Sequence, residues 1–302
     1  MKKRLLIAGG SGMIGTALSH EVHHEGWEVS ILSRSPGQGR VVWNPAEGLI
    51  DIKEKQSFDA IINLAGTSIT EGRWTKKKKN EIYHSRIDAC YTLEKYLLDG
   101  MISTSVYIGA SAIGIYGDRG LSVVTEESII DHQDDWFVKT VIDWETAHNR
   151  MNALGIRTVI PRIGIVLSKS GGALKEIVDT PGWPVLAYFG NGDQIIPWIH
   201  IKDLVRAFLF FINSPLLTGT YIASSPNPVT NKVLTETINK FISPKRIVTG
   251  VPRLIMSNIL GEMHRVLFES CNASSAKIQH EGFLFSFLKI DHALNNLLEL
   301  KS

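Results

Sequence analysis

The first two thirds of the chain alternate between short apolar runs and longer stretches in which apolar residues recur at helical spacing. RLLIAGG (4–10), WEVSILSR (27–34), FDAIINLAG (58–66), TSVYIGAS (104–111) and IRTVIPRIGIVL (156–167) read as strands, most of them apolar enough to be buried on both faces. Between them, MIGTALSHEVHHEG (13–26), KNEIYHSRIDACYTLEKYLLDG (79–100) and WFVKTVIDWETAHNRMNALG (136–155) carry the 3.6-residue period of helices, the first closed by Gly26. Strand and helix in strict alternation predict βαβ units around a parallel sheet, a Rossmann-like doubly wound α/β domain. The rhythm changes at Ser168. Residues 168–194 are rich in Gly, Pro and aromatics and read as a crossover excursion or lid, with Trp183, Tyr188, Phe189 and Trp198 as an aromatic wall. A helix over 199–212 follows, and from Pro226 short helices and strands run on without another glycine-rich turn. The expected division is residues 1–167 plus about 200–225 in the nucleotide-binding domain, with 168–199 plus 226–302 in a smaller substrate-side lobe.

The turn after the first strand brings in chemistry. Gly10, Gly12 and Gly15 give G-x-G-x-x-G, and Gly9, Gly12 and Gly15 give G-x-x-G-x-x-G. Either spacing supplies a tight turn, close backbone approach to a pyrophosphate and close packing of helix on strand, with the phosphate at the helix N-terminus. Its position between strand and helix is the context that makes the motif specific for a dinucleotide. An acid at the end of the second strand would bind the ribose 2′-hydroxyl of NAD; Ser33 and Arg34 stand there, and a guanidinium pairs with a 2′-phosphate. The expected cofactor is NADP(H).

Composition narrows the partners. Of 302 residues, 32 are Lys or Arg and 30 Asp or Glu, so no global field favours nucleic acid or a membrane surface. A small-molecule substrate is expected instead. Two cysteines, Cys90 and Cys271, support neither a disulfide framework nor a metal cluster, and a cytoplasmic location fits. No window approaches the roughly 18 apolar residues of a membrane span. His20, His23 and His24 lack a further convergent ligand and read as solvent-facing, and Lys76 to Lys79 as a solvated helix start.

Together with the glycine turn, INLAG (62–66), GASAIGIYG (109–117) and WIHIKDL (198–204) resemble the extended short-chain dehydrogenase/reductases, the epimerase and dehydratase group. RWTKKKKNEIYHSRID, SGGALKEI, GNGDQIIPWIHIKDL, PNPVTNK and EGFLFSF look more narrowly like the atypical NADP-binding epimerase family proteins with their own C-terminal domain. The resemblance implies cofactor contacts at Gly9, Gly12, Met13, Ile14 and Gly15, at Ser33 and Arg34, at Leu64, Ala65 and Gly66, and at Glu81, Arg86 and Val166. It also implies a catalytic Ser at Ser111, followed on the next helix by a proton-exchanging Tyr and a Lys four residues on. Phe137 and Val141 occupy those two positions, and neither can exchange a proton. Tyr91 and Lys95 form the chain's one Y-x-x-x-K, but they precede Ser111 on a helix expected to lie away from the nicotinamide. Lys139 and Asp143 read as polar residues on a helix's outer face, and His200 as support at a helix start.

Two functions are expected from this mixture. One is an NADP-dependent oxidoreductase or epimerase-like enzyme acting on a small molecule that Ser111 orients, with a homodimer as an open possibility. The other is a non-catalytic protein that senses NADP(H) or a metabolite.

Overall fold

The computed structural model describes residues 2–179 and 184–298, so Trp183 of the expected aromatic wall lies outside the described residues. Its centre is a nine-stranded sheet. In chain order the elements that build it are β1 (Arg4–Ala8), α1 (Met13–His24), β2 (Glu28–Ser33), β3 (Arg40–Asn44), β4 (Leu49–Ile50), β5 (Ala60–Asn63), α2 (Lys76–Leu98), β6 (Val106–Gly109), α3 (Trp136–Ala153), β7 (Arg157–Ile163), α4 (Gly172–Asp179), α5 (Ile201–Asn213) and β8 (Gly219–Ala223). The spatial order is β8-β7-β6-β5-β1-β2-β3-β4, with the short strand Ser111–Ala112 added beside β7. Every pairing along the path is parallel except β3 with β4. The order reverses direction at β1, between β2 and β5, and such a switch point opens a crevice beyond the carboxyl ends of the strands.

The strand read from the sequence as residues 156–167 divides at Gly164. A Cβ there would stand 2.7 Å from the Pro197 carbonyl oxygen, so only glycine lets the two segments approach. β7 stays in the main sheet, while Ile165–Leu167 turns away and pairs in parallel with Trp198–His200. That turn starts the smaller lobe. Leu167, Leu174, Leu186, Trp198, Leu234 and Leu294 share its core, and Val185–Phe189 pairs with Ile247–Val251 from far along the chain.

The C-terminal stretch is shared between the two parts. Ile278 and Phe283 pack into the same core as Leu204, Phe208 and Tyr221 of the sheet domain, whereas Ile290, Ala293 and Leu294 return to the lobe. A buried acid explains the detour. Asp203, 1% exposed in the first turn of α5, accepts hydrogen bonds from the Ser286 and Phe287 amides. His200 caps the same helix by accepting from the Lys202 amide at 3.0 Å, and its ring stacks on Phe287. The WIHIKDL segment is therefore a latch for the chain's end: Ile278, Phe283 and Phe285 pack with the sheet domain, and at Phe287 the chain crosses to the lobe.

Candidate functional site

The glycine turn shows which of its glycines the protein needs for itself. At Gly9 (φ +76°) a Cβ would lie 2.7 Å from the Leu64 carbonyl; at Gly10, 2.7 Å from Ile31; at Gly15, 2.5 Å from the Cα of Gly10. These three close the turn and seat α1 on the sheet. Gly12 is different. Its Cβ would meet only the Gly9 oxygen, at an ordinary 3.4 Å, and as the N-cap of α1 it carries no capping side chain. The amides of Met13, Ile14 and Gly15 thus begin a helix whose positive end has no acidic residue in its first turn. A concavity of backbone N–H groups, kept open by a glycine the protein itself does not require, fits a pyrophosphate.

Other expected cofactor residues ring this cradle. Ser33, nearly buried at the end of β2, accepts from the Ser35 amide, and Arg34 beside it is exposed with no carboxylate partner among the described residues. Leu64 and Ala65 border Gly9 with their backbone. Arg86 lies against Gly66, where a Cβ would come within 3.0 Å of the guanidinium carbon. That guanidinium donates to the Thr67 and Ile82 carbonyls and covers the Trp144 ring, but pairs with no acid among the described residues, and burial pulls its pKa down to about 10. A half-buried cation with only neutral partners is a second feature that fits an anionic ligand. Val166 packs against the same core clusters as Ile14 and Ala17 of α1, and a Cβ on Gly171 or Gly172 at the start of α4 would lie 3.3–3.4 Å from the Met13 side chain. Glu81 stands apart, exposed in a surface groove with Lys76, Lys77, Asn80 and His84.

Beyond β6 the arrangement is closed. Ser111 is 3% exposed, and its hydroxyl donates to Glu145 Oε1 at 2.6 Å. Glu145 is held by Arg162 through two parallel bonds of 2.8 and 2.9 Å, and Arg162 donates onward to the Tyr116 hydroxyl. Burial alone would lower the Arg162 pKa; the Glu145 carboxylate outweighs it and raises it. Phe137 and Val141 are 8% and 2% exposed, in an apolar cluster with Trp74, Ile82, Ile115 and Tyr116 onto which Met263 and Val266 of the C-terminal region also pack. Phe137 also fills the space beside Gly114, where a Cβ would come within 2.5 Å of its ring. Where the resemblance implies a tyrosine and a lysine, this chain has a dry joint. Tyr91 and Lys95 lie elsewhere: the Tyr91 ring meets Arg150, and Lys95 reaches the Gly48 carbonyl. Lys139 and Asp143 pair with each other on the outer face of α3, where Tyr83 also donates to Asp143.

Sequence reasoning did not reach the polar set beneath this edge, where Asn63, Tyr107 and His148 are wholly buried and hydrogen-bonded in series. Its one outward sign is Gly109, where a Cβ would stand 2.3 Å from His148 Nδ1.

A glycine turn that leaves a helix N-terminus open at the switch point of a parallel sheet is the arrangement of a nucleotide-binding α/β protein. The chain belongs to the NAD dependent epimerase/dehydratase family, whose match covers residues 5–221, and a domain of unknown function, DUF1731, matches residues 251–297. An epimerase family protein of Staphylococcus aureus (strain MRSA252) is 32% identical over 301 residues, covering 98% of this chain and 99% of the relative. The epimerase family protein YfhF of Bacillus subtilis (strain 168) is 31% identical over 300 residues, with 97% of both chains covered. Among solved structures, the human epimerase family protein SDR39U1 (isoform 2) with NADPH superposes with a TM-score of 0.86 at 27% identity, covering 98% of this chain and 99% of that one. The fold is that of an extended short-chain dehydrogenase/reductase. No helix among the described residues is long and apolar enough to cross a membrane.

Proposed function

We propose that the protein binds NADP(H) along the carboxyl edge of β1, β2 and β5 and holds a small molecule beside the nicotinamide end. Gly12 carries this reading, because its missing side chain serves no contact within the protein and leaves the α1 amides free for a pyrophosphate. Arg34, exposed and without an acid, is assigned to the 2′-phosphate, with Ser33 beside it. Leu64, Ala65 and Gly66 are assigned to the adenosine and ribose side, Arg86 to an anionic group of the ligand, and Val166 to the nicotinamide side. Glu81 is kept only as a residue at the rim. The NADPH bound to the human relative supports the choice of cofactor.

When bound, the cofactor supplies hydride chemistry. This chain's own contribution is to grip the phosphates and to keep water out of the region behind Phe137 and Val141. Ser111 is assigned to the substrate side, but its hydrogen is held by Glu145, so toward a ligand its oxygen can only accept. Proton exchange at the substrate, where it occurs, draws on the substrate itself or on water.

The second reading, a non-catalytic sensor of NADP(H) or of a metabolite, is favoured by one observation: the Tyr and Lys positions lie inside an apolar joint. One experiment separates them. Protein loaded with NADPH is mixed with a metabolite panel while the near-ultraviolet absorbance of the reduced nicotinamide is followed. Decay of that band on any substrate, or conversion of any substrate into an isomer seen by chromatography, supports the enzyme; tight NADPH binding with a flat trace and every substrate unchanged supports the sensor. Failure to bind NADPH removes both.

A further inference from the structure

We propose that His148, acting with Tyr107 and Asn63, is a positioning residue that fixes the two loops flanking the cofactor cleft relative to each other. This rests on the cofactor reading above and adds to it residues that never touch the ligand.

The direction of every hydrogen bond in the series follows from its ends. The Ala110 carbonyl lies 3.1 Å from His148 Nε2 and can only accept, so Nε2 carries the hydrogen. Complete burial keeps the ring neutral, its pKa pulled down to about 3, which leaves Nδ1 as an acceptor. The Tyr107 hydroxyl, 2.8 Å away, must then donate to Nδ1, and its oxygen accepts from Asn63 Nδ2 at 3.0 Å. The amide orientation of Asn63 is fixed independently, because its Oδ1 accepts from the Ala65 amide at 3.0 Å. A single unbroken order results: Ala65 N–H to Asn63, Asn63 to Tyr107, Tyr107 to His148, His148 to Ala110 C=O. Cys90 flanks the middle of the series, 3.5 Å from Asn63 Nδ2 and 3.4 Å from His148 Nδ1, its thiol pushed up to about 12 by burial.

Both ends of the series are backbone groups just beyond the carboxyl ends of β5 and β6. Ala65 lies 2.9 Å from where a Cβ on Gly9 would stand, so one end bears directly on the glycine turn. Ala110 immediately precedes Ser111, so the other end bears on the substrate side. A second tie, the Ala110 amide to the Asn63 carbonyl at 2.9 Å, closes the connection into a ring. Side chains aligned head to tail in a low-dielectric interior polarise one another, so the ends are held more stiffly than by separate bonds. Apolar residues would fill the same volume without the desolvation cost of three polar side chains. What the polar set adds is a defined distance between two loops that must grip one ligand.

The test pairs a spectroscopic readout with a variant. In 15N-labelled wild-type protein, His148 should show the Nε2–H tautomer, unchanged between pH 5 and pH 8 by comparison with an ordinary histidine near 6.5, and that resonance should move on adding NADPH. Tyr107→Phe keeps the ring but breaks the series, and should raise the NADPH Kd about tenfold, the equivalent of one lost hydrogen bond. A tautomer protonated at Nδ1, a titration near neutral pH, or a resonance indifferent to NADPH overturns the proposal. So does a Tyr107→Phe protein that loses thermal stability but binds NADPH within twofold of wild type, because that is the signature of a purely structural role. The spectroscopic arm uses wild-type protein, so the proposal stays testable even if the variant fails to fold. Wild type that does not bind NADPH at all sinks the cofactor reading first and this proposal with it.

Discussion

The N-terminal end of α1 and the N-terminal half of α3 both face the carboxyl edge of one sheet, yet they are finished in opposite ways. At α1 the protein leaves out a side chain it has room for, and the helix amides stay open at Gly12. At α3 it fills every space: Phe137 against Gly114, Val141 in the apolar joint, Glu145 bonded to Ser111 and Arg162. The contrast shows that a binding site and an acid–base site on one fold answer to separate constraints. A cradle for phosphate needs backbone geometry and an absence. Proton transfer needs polar groups that reach the ligand, whereas the space at the start of α3 is filled by two apolar side chains and a buried ion pair.

The sharpest way to break this contrast is to exchange the consequences of mutation at its two ends. Glu145→Ala should cost about 3–5 kcal/mol of unfolding free energy in urea, since it strands the Arg162 guanidinium in the interior. NADPH affinity of the folded protein should barely change; a large loss of affinity would mean the ion pair belongs to the cofactor site. Gly12→Val should do the reverse, weakening NADPH about a hundredfold, roughly 2.7 kcal/mol, while costing only about 1 kcal/mol of stability at the helix cap. Normal binding by this variant would show that the phosphates lie elsewhere.

Arg34→Ala probes the phosphate end more finely. It should weaken NADPH by about 1.5–3 kcal/mol in fluorescence titrations and leave NADH nearly unaffected. Equal losses for the two cofactors would detach Arg34 from the 2′-phosphate.

His148 makes the buried edge sensitive to acid. Its folded pKa of about 3 lies below the ordinary 6.5, so between those values the unfolded chain binds the extra proton. The contribution is therefore fully present above about pH 6.5 and is lost as the pH falls toward 3, with a slope approaching 1.4 kcal/mol per pH unit. Urea unfolding at a series of pH values should show this slope in wild type and a shallower one in His148→Gln; identical slopes would deny His148 its buried neutral state. Smallest of all, Ser111→Ala should cost about 1 kcal/mol, because Arg162 still satisfies Glu145. Any substrate turnover abolished by that change would restore Ser111 to a direct role and weaken the contrast itself.

Local signals made one end of the molecule readable and left the other obscure. The glycine turn, the strand before it and the helix after it are contiguous, so spacing alone exposed them, and Gly26 closes α1 at φ +84° as its position implied. That Phe137 and Val141 stand where the resemblance implies Tyr and Lys was equally legible. What those residues pack against was not: Met263 and Val266 come from more than a hundred residues away. The break at Gly164 depends on Pro197, and the detour of residues 278–285 on the amides of Ser286 and Phe287 that Asp203 accepts from, neither of which has a local signature. The motif named Ser111 by residue type, whereas the partner of its hydroxyl is fixed by register. It lies beside Arg162 in the sheet, and Glu145, the carboxylate that Arg162 holds, takes its hydrogen. His148 was hidden for the same reason.

The most direct test of the open cradle is calorimetry of NADPH and NADH titrated into wild-type protein and the Gly12→Val variant. The expected result is NADPH binding to wild type, NADH at least about tenfold weaker, and NADPH about a hundredfold weaker with the variant than with wild type. Absence of binding to wild type, or a variant that binds as wild type does, would contradict it.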